Sequence, residues 1–207
     1  MKYAAQWLLF ATLAIAGVAH AQQFEEGTHY TRIDNAKPNA GKTIEVVEVF
    51  SFSCGHCFSF EPLIEAYEKQ LPSDVKFKRL HIKWDKVTEN LSRAYYTTEA
   101  LKNPAAAAKM FEAIHVDRKR IVSPDDIEAV FVEAGIDAET FAKTFNSFGV
   151  TSQVKRADQL IKAYKIDSTP QLIVNGQYKI QPRANVSQKE MLEIADYLIA
   201  LIRDGNT

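Results

Sequence analysis

Apolar and polar positions change rhythm several times along this chain, and the changes divide it into elements. In TIEVVEVFSF, residues 43–52, apolar side chains fall on both alternating faces and are mostly β-branched or aromatic, which predicts a buried central strand. That strand runs into Cys54. From there CFSFEPLIEAYEKQL takes on helical spacing through Phe58, Leu63, Ile64, Tyr67 and Leu71, with Pro62 predicting a kink and Pro72 a stop. VKFKRLHI, residues 75–82, predicts a second core strand and completes a β-α-β unit.

From residue 90 to 166 the pattern is almost wholly helical. Asn103 before Pro104, Ser123 before Pro124 and Asp137 before Ala138 each place an N-cap residue ahead of a suitable first helical position, and Gly135 reads as a helix stop. A block this long exceeds a simple crossover, so an inserted helical subdomain is expected at 90–166, between two α/β parts at 22–89 and 167–207. Strand signals return in TPQLIVNGQYKI, where Asn175-Gly176 predicts a tight hairpin because both residues tolerate positive φ. Ser187 and Glu190 form a capping box, followed by Met191, Ile194, Leu198, Leu201 and Ile202 at helical spacing. The predicted order is β-α-β, helical insert, β-β-α, an α/β fold.

The first 21 residues belong to none of this. Lys2, an apolar run from Trp7 to Val18 and the small-x-small pattern of Ala19-His20-Ala21 predict a cleaved export signal, since the run falls short of the ~20 residues of a spanning helix. With 25 Lys and Arg against 26 Asp and Glu, the charge balance gives no reason to expect nucleic acid or an anionic membrane as partner. Export changes how the two cysteines read. A chain of this length that needed covalent staples in an oxidising compartment would carry more than one pair, so its stability is expected to come from its core.

Those cysteines, Cys54 and Cys57, flank Gly55 and His56 at the strand-to-helix junction. A zinc site wants four ligands, and the remaining candidates His29, His56, His81 and His115 show no paired ligand spacing, so no metal is expected. As a staple the pair would close too small a loop to restrict the unfolded chain. A reactive pair has a mechanism: unpaired N–H groups at a helix start favour a thiolate, and His56 adds a donor or a positive charge. A stabilised thiolate is a good leaving group, so the disulfide form would be a disulfide donor. Cys54 is expected to be the exposed nucleophile and Cys57 its partly buried partner. Glu48 shares a strand face with Ile44, Val46 and Phe50, so it is either a strand-end residue reaching solvent or a buried carboxyl with a raised pKa that accepts a proton from the buried thiol.

The CGHC pair after an apolar strand, the STPQL stretch at 168–172 and the helical block between them resemble the thioredoxin superfamily. More closely, FSFSCGHC with its aromatic-rich helix, VKFKRLHI and the closing helix resemble the DsbA family of periplasmic thiol:disulfide oxidoreductases. The resemblance implies a thioredoxin-like fold with Cys54 and Cys57 as the active pair, Glu48 as the family's acidic residue before it, and Pro170 as a cis-proline. Thr169, next to Pro170, would offer its backbone to an extended substrate segment by strand addition. It further implies periplasmic oxidation of reduced, unfolded exported proteins, a quinone-linked membrane reoxidant of the DsbB type, a monomer, and no bound cofactor. Two features depart from the best-known member: Gly-His between the cysteines, found in protein disulfide isomerases, and Thr before the proline, as in bacterial disulfide isomerases. An isomerase or reductase on the same fold is therefore one alternative, although only about 32 residues would precede Cys54 after export, too few for a dimerisation domain. A client-binding, chaperone-like module with incidental thiols is the other.

Overall fold

The computed structural model describes residues 24–34, 36, 38, 43–183 and 186–205; the export segment expected at 1–21 lies outside them. One sheet of five strands organises the described chain: β1 (Thr31–Arg32), β2 (Ile44–Phe50), β3 (Val75–His81), β4 (Gln171–Val174) and β5 (Tyr178–Ile180), in the order β1-β5-β4-β2-β3. β2 and β3 pair in parallel around α1 (Gly55–Glu68), while β2–β4, β4–β5 and β1–β5 are antiparallel. The β-α-β and β-β-α order of the sequence reading is present, with β1 added ahead of it. Two residues long and without apolar alternation, β1 carries no sequence signal and exists because β5 offers it an open edge.

Between β3 and β4 run five helices: α2 (Lys86–Leu101), α3 (Pro104–His115), α4 (Pro124–Glu133), α5 (Ala138–Phe145) and α6 (Phe148–Ala163). Their starts are set by local side-chain chemistry. Asn103, Ser123 and Asp137 cap α3, α4 and α5 as their spacing predicts, each accepting an N–H three residues on. α2 begins earlier than residue 90 because Asp85 and Thr88 form a capping box that the apolar periodicity does not reveal. Gly135, at φ +84°, follows the end of α4. The closing helix α7 (Gln188–Arg203) starts at the Ser187–Glu190 box. Asn175 and Gly176 both have positive φ, and the Gln177 N–H donates to the Val174 carbonyl at 3.0 Å, closing the β4–β5 hairpin.

Two apolar clusters cover the two faces of the sheet. Ile44, Val46, Leu172, Val174 and Tyr178 pack with Phe60 and Ile64 of α1 and with Met191, Ile194 and Leu198 of α7. Val47, Val49 and Ile173 pack against helices α2–α6 through Leu91, Tyr95, Phe111, Phe131 and Val154. The buried line on α1 runs through Cys57, Phe60 and Ile64; Leu63, which the periodicity placed on the inner face, lies off it and is 38 % exposed. Pro62 is accommodated within α1, which ends at Glu68, ahead of Pro72, where the Gln70 and Leu71 N–H groups turn back to the Tyr67 and Glu68 carbonyls.

Candidate active site

β2 delivers its C-terminal end to the start of α1 through a tight turn in which the Cys54 N–H donates to the Ser51 carbonyl at 3.0 Å. Cys54 is the N-cap of α1, one position earlier than a first helical residue. Its sulfur lies 3.3 Å from the Cys57 backbone N–H, where a serine or aspartate oxygen usually sits. Both cysteines are present as thiols, Cys54 half-buried and Cys57 fully buried.

The two thiols are driven apart electrostatically. The Cys57 side chain, hydrogen-bonded to the Cys54 sulfur, holds the Cys54 pKa down at about 5; the Thr169 side chain and the Cys57 and His56 N–H groups act the same way, while partial burial opposes them. Burial pushes the Cys57 thiol far up, and its contact with Cys54 pushes it further in the same direction. One sulfur is therefore a thiolate near neutrality and the other holds its proton. The His56 side chain is exposed; its main-chain N–H, not its ring, faces the Cys54 sulfur, and its carbonyl accepts from Ser59 Oγ at 3.0 Å and from Gln188 Nε2 at 2.6 Å, joining the first turn of α1 to α7.

Across from Cys54 stands the loop before β4. The Thr169–Pro170 peptide bond is cis, Pro170 is buried, and the Thr169 carbonyl accepts the Cys54 Sγ–H at 3.4 Å. Only the protonated Cys54 sulfur makes that bond; the thiolate has no proton to donate to the carbonyl. The loop is braced from behind by fully buried Gln171, whose Nε2 donates to Asp167 Oδ1 and Ser168 Oγ, each at 2.8 Å.

Glu48 has no exposed surface, so it does not reach solvent at the strand end. Burial pushes its carboxyl up to about 8, against the opposing pull of Arg79. Arg79 Nε lies 3.0 Å from Glu48 Oε2, yet neither carboxyl oxygen has an aligned hydrogen-bond donor. Arg79 also reaches Glu61 of α1 at 3.1 Å and borders, with Glu61, a cleft of about 710 Å³. Periodicity alone missed Arg79 and Glu61. The parallel register puts Arg79 directly beside Glu48, a pairing knowable only once β2 and β3 are aligned. Among the described residues, no group of three or more His, Cys, Asp or Glu side chains is placed to hold a metal ion, and no helix is long and apolar enough to cross a membrane.

Residues 45–192 match the family described as the DSBA-like thioredoxin domain. The chain is 33 % identical to the thiol:disulfide interchange protein DsbA of Pseudomonas aeruginosa, over 93 % of this chain and 94 % of that one. It is 36 % identical to the protein of the same name from Bordetella parapertussis, over 94 % of this chain and 96 % of the relative. The crystal structure of Pseudomonas aeruginosa DsbA superimposes with a TM-score of 0.84 at 31 % identity, covering 90 % of this chain and 98 % of that one.

Proposed function

The chain belongs to the DsbA-like thioredoxin-domain family and is a thiol:disulfide oxidoreductase, and from that premise we propose that Cys54 and Cys57 are its redox pair and that it donates disulfides to exported proteins. The observation that carries this reading is the opposed tuning of the two sulfurs: Cys54 held as a thiolate at the α1 N-terminus, Cys57 buried as a thiol.

In the oxidised state a client thiolate attacks the Cys54 sulfur. The Cys54–Cys57 bond breaks, a client–Cys54 disulfide forms, and Cys57 leaves with the electron pair and takes up a proton. A second client thiolate then attacks the client sulfur of that mixed disulfide and expels Cys54 as thiolate. The client has lost two electrons and gained a disulfide; the protein has gained the two electrons as a dithiol. Stabilising the leaving Cys54 thiolate favours this direction. His56 contributes its main-chain N–H to that stabilisation. Glu48 serves as the proton partner of Cys57, donating when Cys57 is released and accepting when the disulfide is remade; Arg79, Glu61 and the cleft beyond them connect it toward solvent. Thr169, beside Pro170, offers main-chain groups to an extended client in the oxidised state, where Cys54 has no S–H to donate to the Thr169 carbonyl.

The same reading makes residues 1–21 an export signal, 90–166 an inserted helical subdomain, the periplasm the working compartment, and the protein a monomer reoxidised by a quinone-linked membrane partner of the DsbB type. Equilibration of residues 22–207 with glutathione buffers tests it. A potential at or above about −180 mV marks a disulfide donor, whereas one near the thioredoxin value of about −270 mV would sink the oxidase reading in favour of a reductase.

A further inference from the structure

The turn that presents Cys54 is gripped by two histidines outside the Cys-Gly-His-Cys motif. The Phe52 N–H donates to His81 Nε2 at 3.0 Å, and the Phe52 carbonyl faces His115 Nε2 at 2.8 Å. These contacts fix the tautomers. His81 Nε2 accepts, so its proton sits on Nδ1 and is donated to the Ile82 carbonyl at 2.8 Å, as a neutral, fully buried ring requires. His115 Nε2 meets a carbonyl and must donate. The two rings come from separate parts of the fold, His81 from the end of β3 and His115 from the last residue of α3.

His115 also holds the chain on the far side of Cys54. Its ring stacks on Phe58, with centroids 4.9 Å apart and 12° between planes, and the Phe58 N–H makes the first hydrogen bond of α1, to the Cys54 carbonyl at 3.0 Å. One half-buried imidazole thus spans residues 52 and 58, and Cys54 lies between them. Within the turn the remaining donors are also taken: Ser53 N–H by Ser51 Oγ at 3.3 Å, and Cys54 N–H by the Ser51 carbonyl. Phe52 is the residue whose backbone is held entirely from outside the turn.

We propose that His115, with His81 opposite it, is a positioning residue of the redox centre: the pair fixes the Phe52 backbone and so sets the Cys54 sulfur against the first-turn N–H groups of α1 and the Thr169 carbonyl. His115 also makes the helices between β3 and β4 a structural partner of the redox turn. This inference rests on the redox reading of Cys54 and Cys57.

The test compares three variants with the parent by glutathione equilibrium and by the ultraviolet titration of the Cys54 thiolate. His115→Phe keeps a ring to stack on Phe58 and removes the donor; His115→Gln keeps a donor and loses the ring; His81→Phe removes the acceptor on the other side. Loss of the bond to Phe52 in H115F is expected to lower the oxidising equilibrium constant about tenfold, a fall of about 30 mV, and to move the thiolate titration to higher pH. H115Q is expected to stay closer to the parent than to H115F. An H115F constant within threefold of the parent, or an H115Q constant nearer to H115F, overturns the proposal. If buried His81→Phe does not fold, the two His115 variants decide alone. A parent protein with no measurable exchange would instead defeat the redox reading itself, which separates the two failures.

Discussion

At the scale of single residues, Cys54 and Glu48 titrate in opposite senses, and folding is linked to both. Glu48 has an ordinary pKa of 4.5 and is raised to about 8 in the folded chain by burial. The native state therefore binds a proton that the unfolded chain releases, and the associated stability is fully present below about 4.5 and lost as pH rises through about 8. In the disulfide form Cys54 is silent, so Glu48→Gln is expected to flatten the fall in stability between those values, read as urea midpoints across pH. A descent unchanged in the variant would assign it to another group. Because Glu61 also pairs with Arg79 at 3.1 Å, the guanidinium keeps a partner in this variant, and the comparison is not dominated by an orphaned charge. Glu48 was legible in the sequence as a carboxylate on an apolar face; its burial and its partners were not, since each depends on what packs over that face.

At the scale of elements, α1 begins with a sulfur where helices prefer oxygen. A serine at the same N-cap accepts the Cys57 N–H at least as well, whereas alanine leaves it unpaired. Cys54→Ser should therefore be more stable than Cys54→Ala by about 1 kcal/mol, measured by denaturant unfolding of the two single-thiol proteins. Equal midpoints would mean that the Cys54 side chain contributes nothing as a cap. Gly135 gives a cleaner case. A Cβ built there meets nothing within 4 Å, yet φ is +84°. Gly135→Ala is thus expected to cost about 1 kcal/mol through backbone strain alone, with redox properties unchanged. The caps at Asn103, Ser123, Asp137 and Ser187 could be read directly because a cap is a contact over three residues. β1 could not, because its only reason to be a strand lies at β5, far along the chain.

At the scale of the whole molecule, the proposed redox role of Cys54 and Cys57 couples their oxidation state to global stability. Cys54 drops from its ordinary 9.0 to about 5 on folding, so the reduced native state gains stability that is complete above about 9.0 and lost as pH falls through about 5. The disulfide closes only a four-residue loop and restricts the unfolded chain little. Reduced protein is accordingly expected to unfold at higher denaturant than oxidised protein at neutral pH, with the gap shrinking toward pH 5. Paired unfolding curves in the presence and absence of reductant check this, and a gap favouring the disulfide form at neutral pH would contradict a centre poised to give its disulfide away.

The sequence by itself determined what depends on neighbours along the chain: the strand into the Cys-Gly-His-Cys turn, the starts of α3, α4, α5 and α7, the hairpin at Asn175-Gly176, and the two sulfurs at the start of a helix. These follow from periodicity, capping and turn geometry, which act over a few residues. Only the tertiary structure decided which groups face those sulfurs. The Thr169 carbonyl meets Cys54 from 115 residues away, Arg79 reaches Glu48 through the β2–β3 register, and His81 and His115 close on Phe52 from a strand and a helix. Thiolate stability is set by the hydrogen bonds and burial around one atom, and those are fixed only when every element has packed.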